Sequence, residues 1–332
     1  MGVMNVIPRS LLRRFVTAAR SQVPCQRLCT AGVTPEKLVS HWQKVFQEHG
    51  ITEHQESSEI LVAHALGAKT FYSLTHELAR SPVSSHQLAH INRMAQERLR
   101  RVPIQYIIGE WDFLDLTLKM RPPVFIPRPE TEELVGLVLA SCPELLQSAE
   151  PRILEVGCGS GAVSLALLQR IPQAHIVATD KTEAAVSLSQ ENAERLGLQH
   201  RIQILHHDIV SDSALPLLAL GAVDVLVSNP PYIFKEDLSA LEPEILRYED
   251  HAALDGGPDG MVVMKAMLHL APLLLKPKGH IFLEGDPRHP TMLQMWLQRH
   301  PELQLQLIHV IKDFCGKPRF VHIQRRDRPS SS

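Results

Sequence analysis

The chain has few aromatic residues, little net charge and an odd number of cysteines. Aromatic residues make up 5% of its 332 residues, and 34 basic against 36 acidic side chains leave a net charge of −2. This balance provides no basic field for a nucleic acid, and few rings are available for base stacking, so no direct nucleic-acid partner is expected. The dispersed cysteines predict reduced thiols and no disulfide framework. They are Cys25, Cys29, Cys142, Cys158 and Cys315.

Long hydrophobic runs and familiar metal-binding spacings are also missing. The apolar stretches are too short and too interrupted to cross a bilayer, so no membrane partner is expected. The 18 histidines are scattered, and none stands in an H-E-x-x-H pattern. His206 and His207 are adjacent on a predicted strand, where their side chains point to opposite faces. The sequence therefore assigns no metal ligand.

The first 35 residues contain no lysine and no acidic residue. They carry five arginines, with Leu11, Leu12 and Phe15 among them. An Arg-rich, acid-free start of this kind is typical of a mitochondrial presequence, whereas a secretory signal needs a continuous apolar stretch. Residues 1–33 are therefore predicted to be a presequence that directs the protein to the mitochondrial matrix. A disordered basic tail is the alternative.

The remaining chain divides into a helical part and an alternating part. Residues 34–101 predict a small N-terminal helical bundle domain, with Thr34 capping the first helix and Pro35 opening it, and the bundle by itself indicates no chemistry. Residues 102–125 predict a hairpin linker. Residues 126–325 alternate strands and helices, which predicts an α/β fold with a doubly wound, mostly parallel seven-stranded sheet. Residues 326–332 are expected to form a disordered tail.

Helices are predicted near Ser57–Leu66, Phe71–Leu78, Ser85–Arg101, Leu134–Ala140 (beginning at Glu130 or Thr131), Ala162–Arg170, Leu238–Tyr248, Met261–Leu275 and Pro290–Gln298.

A glycine-rich loop follows the first predicted strand of the sheet, which ends at Val156. Glycines let the backbone pass close to a ligand, because a Cβ would collide with it. The spacing is G-x-G-x-G, not G-x-G-x-x-G, and Glu155 precedes the loop. A carboxylate there suits a positively charged sulfonium and disfavours a pyrophosphate, which favours S-adenosylmethionine over a nicotinamide cofactor. The predicted cofactor-binding residues here are Glu155, Gly157, Cys158, Gly159, Ser160 and Gly161.

Acidic residues end the next two predicted strands. Asp180 follows the second strand and is placed to accept hydrogen bonds from ribose hydroxyls. Asp208 follows the third strand, Ile202–His206, and could accept from an adenine amino group. The alternative for Asp208 is a helix cap or turn residue, since aspartate often serves so.

Asn229-Pro230-Pro231-Tyr232 follows the fourth predicted strand, Val223–Ser228. Two prolines remove two backbone donors and force a rigid turn, which holds Asn229 just beyond the strand's carboxyl end. Its side chain and the adjacent carbonyl offer two acceptors that could grip one planar NH2 group. This arrangement suits methyl transfer to an amide or an exocyclic amine, and a Pro-rich turn is the alternative. All four residues are predicted to bind the substrate. Asn229, Pro230 and Tyr232 are also predicted to be catalytic, and Asn229 is predicted to contact the cofactor as well.

Together these segments resemble the class I S-adenosylmethionine-dependent methyltransferases, and more narrowly the HemK-type release-factor glutamine N5-methyltransferases. The likeness covers roughly residues 35–325. The agreeing motifs include the glycine loop, the Asn-Pro-Pro-Tyr turn, Ile126-Pro127-Arg128-Pro129-Glu130-Thr131-Glu132, Ala253-Leu254-x-Gly256-Gly257 and Asp313-x-x-Gly316-x-x-Arg319. The sequence departs from the family pattern at Ile209, Asp250 and Gly285.

The resemblance implies an enzyme that methylates the glutamine of the Gly-Gly-Gln motif in mitochondrial class I peptide-chain release factors. Asn229 and the Pro230 carbonyl would accept the two amide N–H groups, Tyr232 would shape the pocket, and no side-chain base is expected. A monomer is expected. The alternatives are a nucleic-acid methyltransferase acting on adenine N6 or guanine N2, and a non-catalytic binding protein.

Overall fold

The computed structural model describes residues 32–327. The predicted presequence, apart from its last two residues, and the predicted tail from residue 328 onward lie outside the described residues. Within them, no helix is both long and apolar enough to cross a membrane.

The N-terminal region is helical, as predicted. Its helices are α1 (Pro35–Glu48), α2 (His54–Ala65), α3 (His76–Arg80) and α4 (Ser85–Leu99). The Thr34 hydroxyl accepts from the backbone N–H of Lys37, and Pro35 opens α1, which confirms the predicted start. The helices meet in an apolar core formed by Leu38, Phe46, Leu61, Val62 and Ile91.

The predicted third helix, Phe71–Leu78, is wrong as one element. The chain forms a 3-10 turn, Phe71–Ser73, and then begins α3 separately. Thr75 has extended backbone angles and its hydroxyl accepts from the N–H of Leu78, so it caps a new helix. The apolar spacing alone predicts one continuous helix, and the cap at Thr75 divides it.

A short helix and a hairpin connect this region to the sheet. Helix α5 (Ile104–Ile108) was not predicted, whereas the hairpin of β1 (Glu110–Phe113) and β2 (Leu116–Lys119) was. The two strands pair antiparallel, with Phe113 opposite Leu116. Phe113, Leu116 and Leu118 are buried, so the hairpin packs onto the core of the sheet region.

The central sheet has seven strands in the order β5-β4-β3-β6-β7-β9-β8. The strands are β3 (Arg152–Val156), β4 (His175–Asp180), β5 (Ile202–His206), β6 (Val223–Ser228), β7 (Leu275–Glu284), β8 (Leu305–Lys312) and β9 (Pro318–Arg325). All neighbours are parallel except β9, which is antiparallel to β7 and β8. This confirms the predicted mostly parallel sheet. Because β4 and β6 flank β3, a crevice opens where the strand order reverses, and ligands bind there in open α/β sheets.

Helices cover both faces of the sheet. They are α6 (Pro129–Ser141), α7 (Ala162–Arg170), α8 (Glu183–Arg195), α9 (Leu215–Ala219), α10 (Pro243–Tyr248), α11 (Val262–Leu274) and α12 (His289–Arg299). Successive residues of a strand face opposite layers, so Ile153 packs with α6 and α7 whereas Leu154 packs with α11 and α12. The sheet is therefore buried between two helical layers.

Two predicted helix boundaries in this region are wrong. Helix α6 begins at Pro129, ahead of the predicted Glu130 or Thr131, because proline suits the first helical position. The predicted helix Leu238–Tyr248 is split into a 3-10 turn, Leu238–Ala240, and α10. Pro243 disfavours helical angles at the residue before it, and so α10 has to begin anew.

Candidate active site

A cavity of about 190 Å³ opens at the carboxyl ends of β3, β4, β5 and β6. It brings together residues that are far apart in the sequence, because parallel strands end at one edge of the sheet. Every predicted site residue except Gly161 lines it: Glu155, Gly157, Cys158, Gly159, Ser160, Asp180, Asp208, Asn229, Pro230, Pro231 and Tyr232.

The glycines of the loop serve two different purposes. A Cβ at Gly159 would meet no atom within 4 Å, so the space beside this residue is open to a ligand. A Cβ at Gly161 would lie 2.6 Å from the Ser189 hydroxyl, and Gly161 has a φ of +84°. Gly161 therefore allows α7 to begin close to α8, and the expected approach to the ligand applies at Gly159 instead.

Glu155 is buried in the wall of the cavity beneath the loop. One carboxylate oxygen accepts from the Ser164 backbone N–H at 3.0 Å and from the Ser164 hydroxyl. Burial raises the pKa of Glu155 to about 8, and the two Ser164 hydrogen bonds oppose that rise. A positive charge bound nearby, such as a sulfonium, would favour the ionised form of the Glu155 carboxylate.

Asp180 ties the glycine loop to the end of β4. Its Oδ2 accepts from the Gly159 N–H at 2.9 Å, and its Oδ1 accepts from the N–H and hydroxyl of Thr182, each at 3.0 Å. Each carboxylate oxygen has two lone pairs, so acceptor capacity remains at Oδ2 on the cavity side. Asp180 therefore positions the loop as well as offering acceptors to a ligand.

Asp208 forms the hydrogen bonds of a turn residue at the edge of the cavity. Its carboxylate accepts from the Val210 N–H at 2.9 Å and from the Ser211 hydroxyl at 3.0 Å, which is the behaviour of a turn residue. It also lines the cavity. Ile209 is buried and lines the cavity beside it, so this departure from the family pattern retains an apolar wall.

His207, to which the sequence assigned no site role, lines the cavity. Its side chain is buried, and among the described residues its Nε2 has no hydrogen-bond partner. A buried nitrogen without a partner costs free energy that a ligand could recover. The sequence signal was present, since His207 stands between the end of β5 and Asp208.

The side chain of Asn229 has a defined orientation. Its Nδ2 donates to the Thr131 hydroxyl at 2.9 Å, and that hydroxyl donates to Glu284 Oε2 at 2.8 Å. A hydroxyl has one proton, so with Glu284 ionised Thr131 can only accept from Asn229. The amide NH2 therefore faces Thr131. Within residues 32–327, neither Asn229 Oδ1 nor the Pro230 carbonyl oxygen accepts a hydrogen bond, which leaves both acceptors available.

Glu284 joins this arrangement to the rest of the site. It ends β7 and is buried, and its Oε1 accepts from the Tyr232 hydroxyl at 3.3 Å. Burial raises the pKa of Glu284 to about 7, while hydrogen bonding from Thr131 and the charge of Arg319 oppose the rise. Arg319 also donates to the Tyr232 hydroxyl at 3.4 Å. The sequence analysis missed Thr131 and Glu284 as site residues, although the strand-end position of Glu284 was a usable signal.

The Pro-Arg-Pro segment forms part of the cavity wall. Pro127 and Arg128 line the cavity. Arg128 donates to Glu249 Oε1 at 2.6 Å, and the Ile126 N–H donates to the other oxygen of that carboxylate at 3.2 Å. Glu249 is buried and directly follows α10. The segment before α6 is thus held against the segment after α10, across the cavity.

The chain is similar to known proteins. Residues 37–109 match the family model "PrmC N-terminal domain", and residues 137–281 match "Methyltransferase small domain". The chain is 55% identical over 293 residues to the human MTRF1L release factor glutamine methyltransferase, covering 87% of each chain. It is 32% identical to the release factor glutamine methyltransferase of Geobacter sulfurreducens, covering 79% of this chain and 88% of that one. A methyltransferase structure from Pyrococcus furiosus aligns with a TM-score of 0.46 at 19% identity, covering 70% of this chain and 100% of that one.

Proposed function

The chain belongs to the family of release factor glutamine methyltransferases, and from this membership we propose its reaction, cofactor and substrate. The protein is a methyltransferase enzyme. It transfers the methyl group of S-adenosylmethionine to the side-chain nitrogen, N5, of a glutamine. The glutamine is that of the Gly-Gly-Gln motif in mitochondrial class I release factors.

The observation that carries the proposal is the orientation of Asn229. Because its NH2 group is engaged by Thr131, Asn229 Oδ1 is the atom left to accept from a substrate amide. With the Pro230 carbonyl it forms a pair of acceptors that matches the two N–H groups of a primary amide. The pair holds the nitrogen in one orientation and stabilises the positive charge that develops on it.

The cavity residues fit S-adenosylmethionine. Glu155 offers a buried carboxylate, Gly159 leaves open space, and His207 offers a buried nitrogen without a partner among the described residues. Asp180 and Asp208 add acceptors for ribose and adenine. When bound, the cofactor supplies an electrophilic methyl group carried on a sulfonium.

The residues of the Asn-Pro-Pro-Tyr turn then act by positioning. The amide nitrogen would take the methyl group as the carbon–sulfur bond of the sulfonium breaks, which would leave a neutral thioether, and the nitrogen would then lose one proton to solvent. Burial raises the pKa of the Tyr232 phenol, which therefore stays protonated and keeps its contact with Glu284. Orientation and charge stabilisation carry the rate, and no side-chain base takes part.

The remaining parts of the proposal concern location and recognition. Residues 1–33 direct the protein to the mitochondrial matrix, and the helical region at residues 34–101 recognises the release factor. The protein acts as a monomer. A reporter fused to residues 1–33 should enter mitochondria, and one in which the five arginines are replaced by glutamine should remain in the cytosol.

One experiment tests the reaction and the acceptor together. The enzyme is incubated with labelled S-adenosylmethionine and, separately, with a mitochondrial release factor, tRNA, rRNA and DNA. We expect label only on the release factor, and peptide mass spectrometry should place it on the Gly-Gly-Gln glutamine. A factor with that glutamine changed to alanine should take no label. Undiminished transfer to this variant would overturn the glutamine assignment, and label on a nucleic acid would support the alternative.

A further inference from the structure

Three potential metal ligands meet on the layer formed by α6, away from the Asn-Pro-Pro-Tyr turn. They are the thiol of Cys142, the carboxylate of Glu144 and the imidazole of His280, and one ligand atom from each lies within 4.8 Å of the other two. Cys142 directly follows α6, Glu144 is in the 3-10 turn after it, and His280 is on β7. Residue spacing in the sequence does not reveal this cluster, because His280 is remote from the other two residues.

We propose that Cys142, Glu144 and His280 bind a zinc ion, with water as the fourth ligand. Thiolate, carboxylate and imidazole are all established zinc ligands, and three protein ligands with one open position form a known type of site. His280 Nε2 and Glu144 Oε1 are 3.4 Å apart. Two ligands at about 2.0–2.1 Å from a tetrahedral zinc ion are about 3.3 Å apart, so the pair already has the required spacing.

The surroundings of His280 support this assignment. Its Nδ1 lies 2.8 Å from His322 Nε2, so one ring must donate to the other. If His280 donates through Nδ1, its Nε2 carries the lone pair that faces Glu144. Metal-binding histidines commonly donate their other ring N–H in this way. His322 is held in place by its stacked contact with Phe282, whose ring centre is 4.5 Å away.

The site gives the metal a structural purpose. Glu144 is exposed, which provides access from solvent, whereas Cys142 is fully buried. The same two elements also meet through Thr131, near the start of α6, and Glu284, at the end of β7. A zinc ion would therefore join α6 to β7 at the opposite end of the helix. It would hold the helix in the register that places Thr131 against Glu284.

Cobalt provides a direct test, because a Co²⁺ ion bound to thiolate absorbs in the near ultraviolet and a tetrahedral Co²⁺ ion absorbs strongly in the visible. The full-length protein, kept reduced, should bind one Co²⁺ per chain with both absorptions, and Zn²⁺ should displace it. Cys142→Ser should lose the near-ultraviolet absorption. Cys315→Ser, which changes an exposed cysteine outside the cluster, should retain it. A wild-type protein without these absorptions, or a band that persists in Cys142→Ser, would overturn the proposal.

Two milder variants keep the test decisive if Cys142→Ser does not fold. Glu144→Gln alters an exposed side chain and should weaken Co²⁺ binding without unfolding the protein. His322→Phe keeps an aromatic ring but removes the hydrogen bond to His280, and should weaken binding roughly 10- to 100-fold. Zn²⁺ should raise the melting temperature of the wild type and not that of Glu144→Gln. Equal Co²⁺ affinity in all these variants would contradict the assigned ligands.

Discussion

The amide nitrogen of Asn229 lies 2.9 Å from the hydroxyl of Thr131, a residue 98 positions earlier in the chain. This contact determines which end of the amide faces the cavity. It also links the Asn-Pro-Pro-Tyr turn to α6, and through Glu284 to the end of β7. The orientation of the Asn229 side chain therefore depends on residues outside the turn.

Replacing Asn229 by alanine should lower turnover far more than it lowers cofactor affinity. The variant loses one of the two acceptors that orient the substrate amide. Turnover should fall roughly 10²- to 10³-fold, the scale for removing one preorganised transition-state contact. Single-turnover methyl transfer to a release factor measures the rate, and calorimetry with S-adenosylmethionine measures affinity. Near-normal turnover would remove Asn229 from the proposed mechanism.

Thr131→Val should reduce turnover, although the valine side chain has nearly the same shape as that of threonine. Valine can neither accept from Asn229 nor donate to Glu284, so the amide loses its preferred orientation. Losing a net hydrogen bond of about 1–1.5 kcal/mol corresponds to roughly a tenfold lower rate. Thr131→Ser restores the hydroxyl and should recover most activity. If valine and serine variants behave alike, the hydroxyl has no positioning role.

Turnover should depend on pH through Glu284. Its ionised form accepts from Thr131, which leaves Thr131 to accept from Asn229. Burial raises the pKa of Glu284 to about 7, so the active ionised form is lost as pH falls through about 7. Below that pH turnover should fall to a plateau about tenfold lower, the same loss as is expected for Thr131→Val. Glu284→Gln cannot ionise and should lose this pH dependence. A wild-type profile that is flat between pH 6 and about 8 would contradict the assignment.

Asp180→Ala should weaken cofactor binding while the fold remains intact. The carboxylate both holds Gly159 and offers acceptors to the ligand, and losing charge-assisted hydrogen bonds should cost on the order of 2–3 kcal/mol. Thr182→Val is the matched control, because it removes one hydrogen bond to Asp180 but keeps the carboxylate. Calorimetric titration with S-adenosylmethionine measures both. An unchanged dissociation constant for Asp180→Ala would remove Asp180 from the site.

A buried ion pair joins the helical region to α10. Arg98, which is 2% exposed, donates to Glu244 at 3.0 Å. Arg98→Met and Glu244→Gln should each lower the unfolding free energy, but by less than the about 3–5 kcal/mol expected for a buried charge left with no partner. The loss is smaller because Arg101 still reaches Glu244 at 3.2 Å and Glu53 still lies 3.8 Å from Arg98. The double variant should lose clearly less unfolding free energy than the sum of the losses in the two single variants.

Denaturant unfolding of the two single variants and the double variant measures this coupling. Lys44→Met serves as the control, since it breaks the exposed pair with Glu48 and should cost at most about 1 kcal/mol. Additive losses in the Arg98 and Glu244 variants would show that the pair does not couple the two regions.

The sequence alone determined the elements whose signals are local. Strands β5 and β6 and helix α7 have the predicted bounds, because their apolar runs specify them without distant contacts. Gly161 directly precedes α7, and Pro230 lies just after β6. Since parallel strands end at one edge, the strand-end residues Asp180, Asp208 and Asn229 could be assigned to one site in advance.

Only the tertiary structure decided which side chains meet within that site. Thr131 and Glu284 are 153 positions apart, and outside that site Cys142 is similarly remote from His280. Such contacts depend on how α6 packs across β7, and neither residue spacing nor composition specifies that placement. The need for glycine at position 161 is also not visible in the sequence, because it comes from the nearby Ser189 on α8. Local periodicity specifies elements, whereas the packing of one element on another specifies the hydrogen bonds between them.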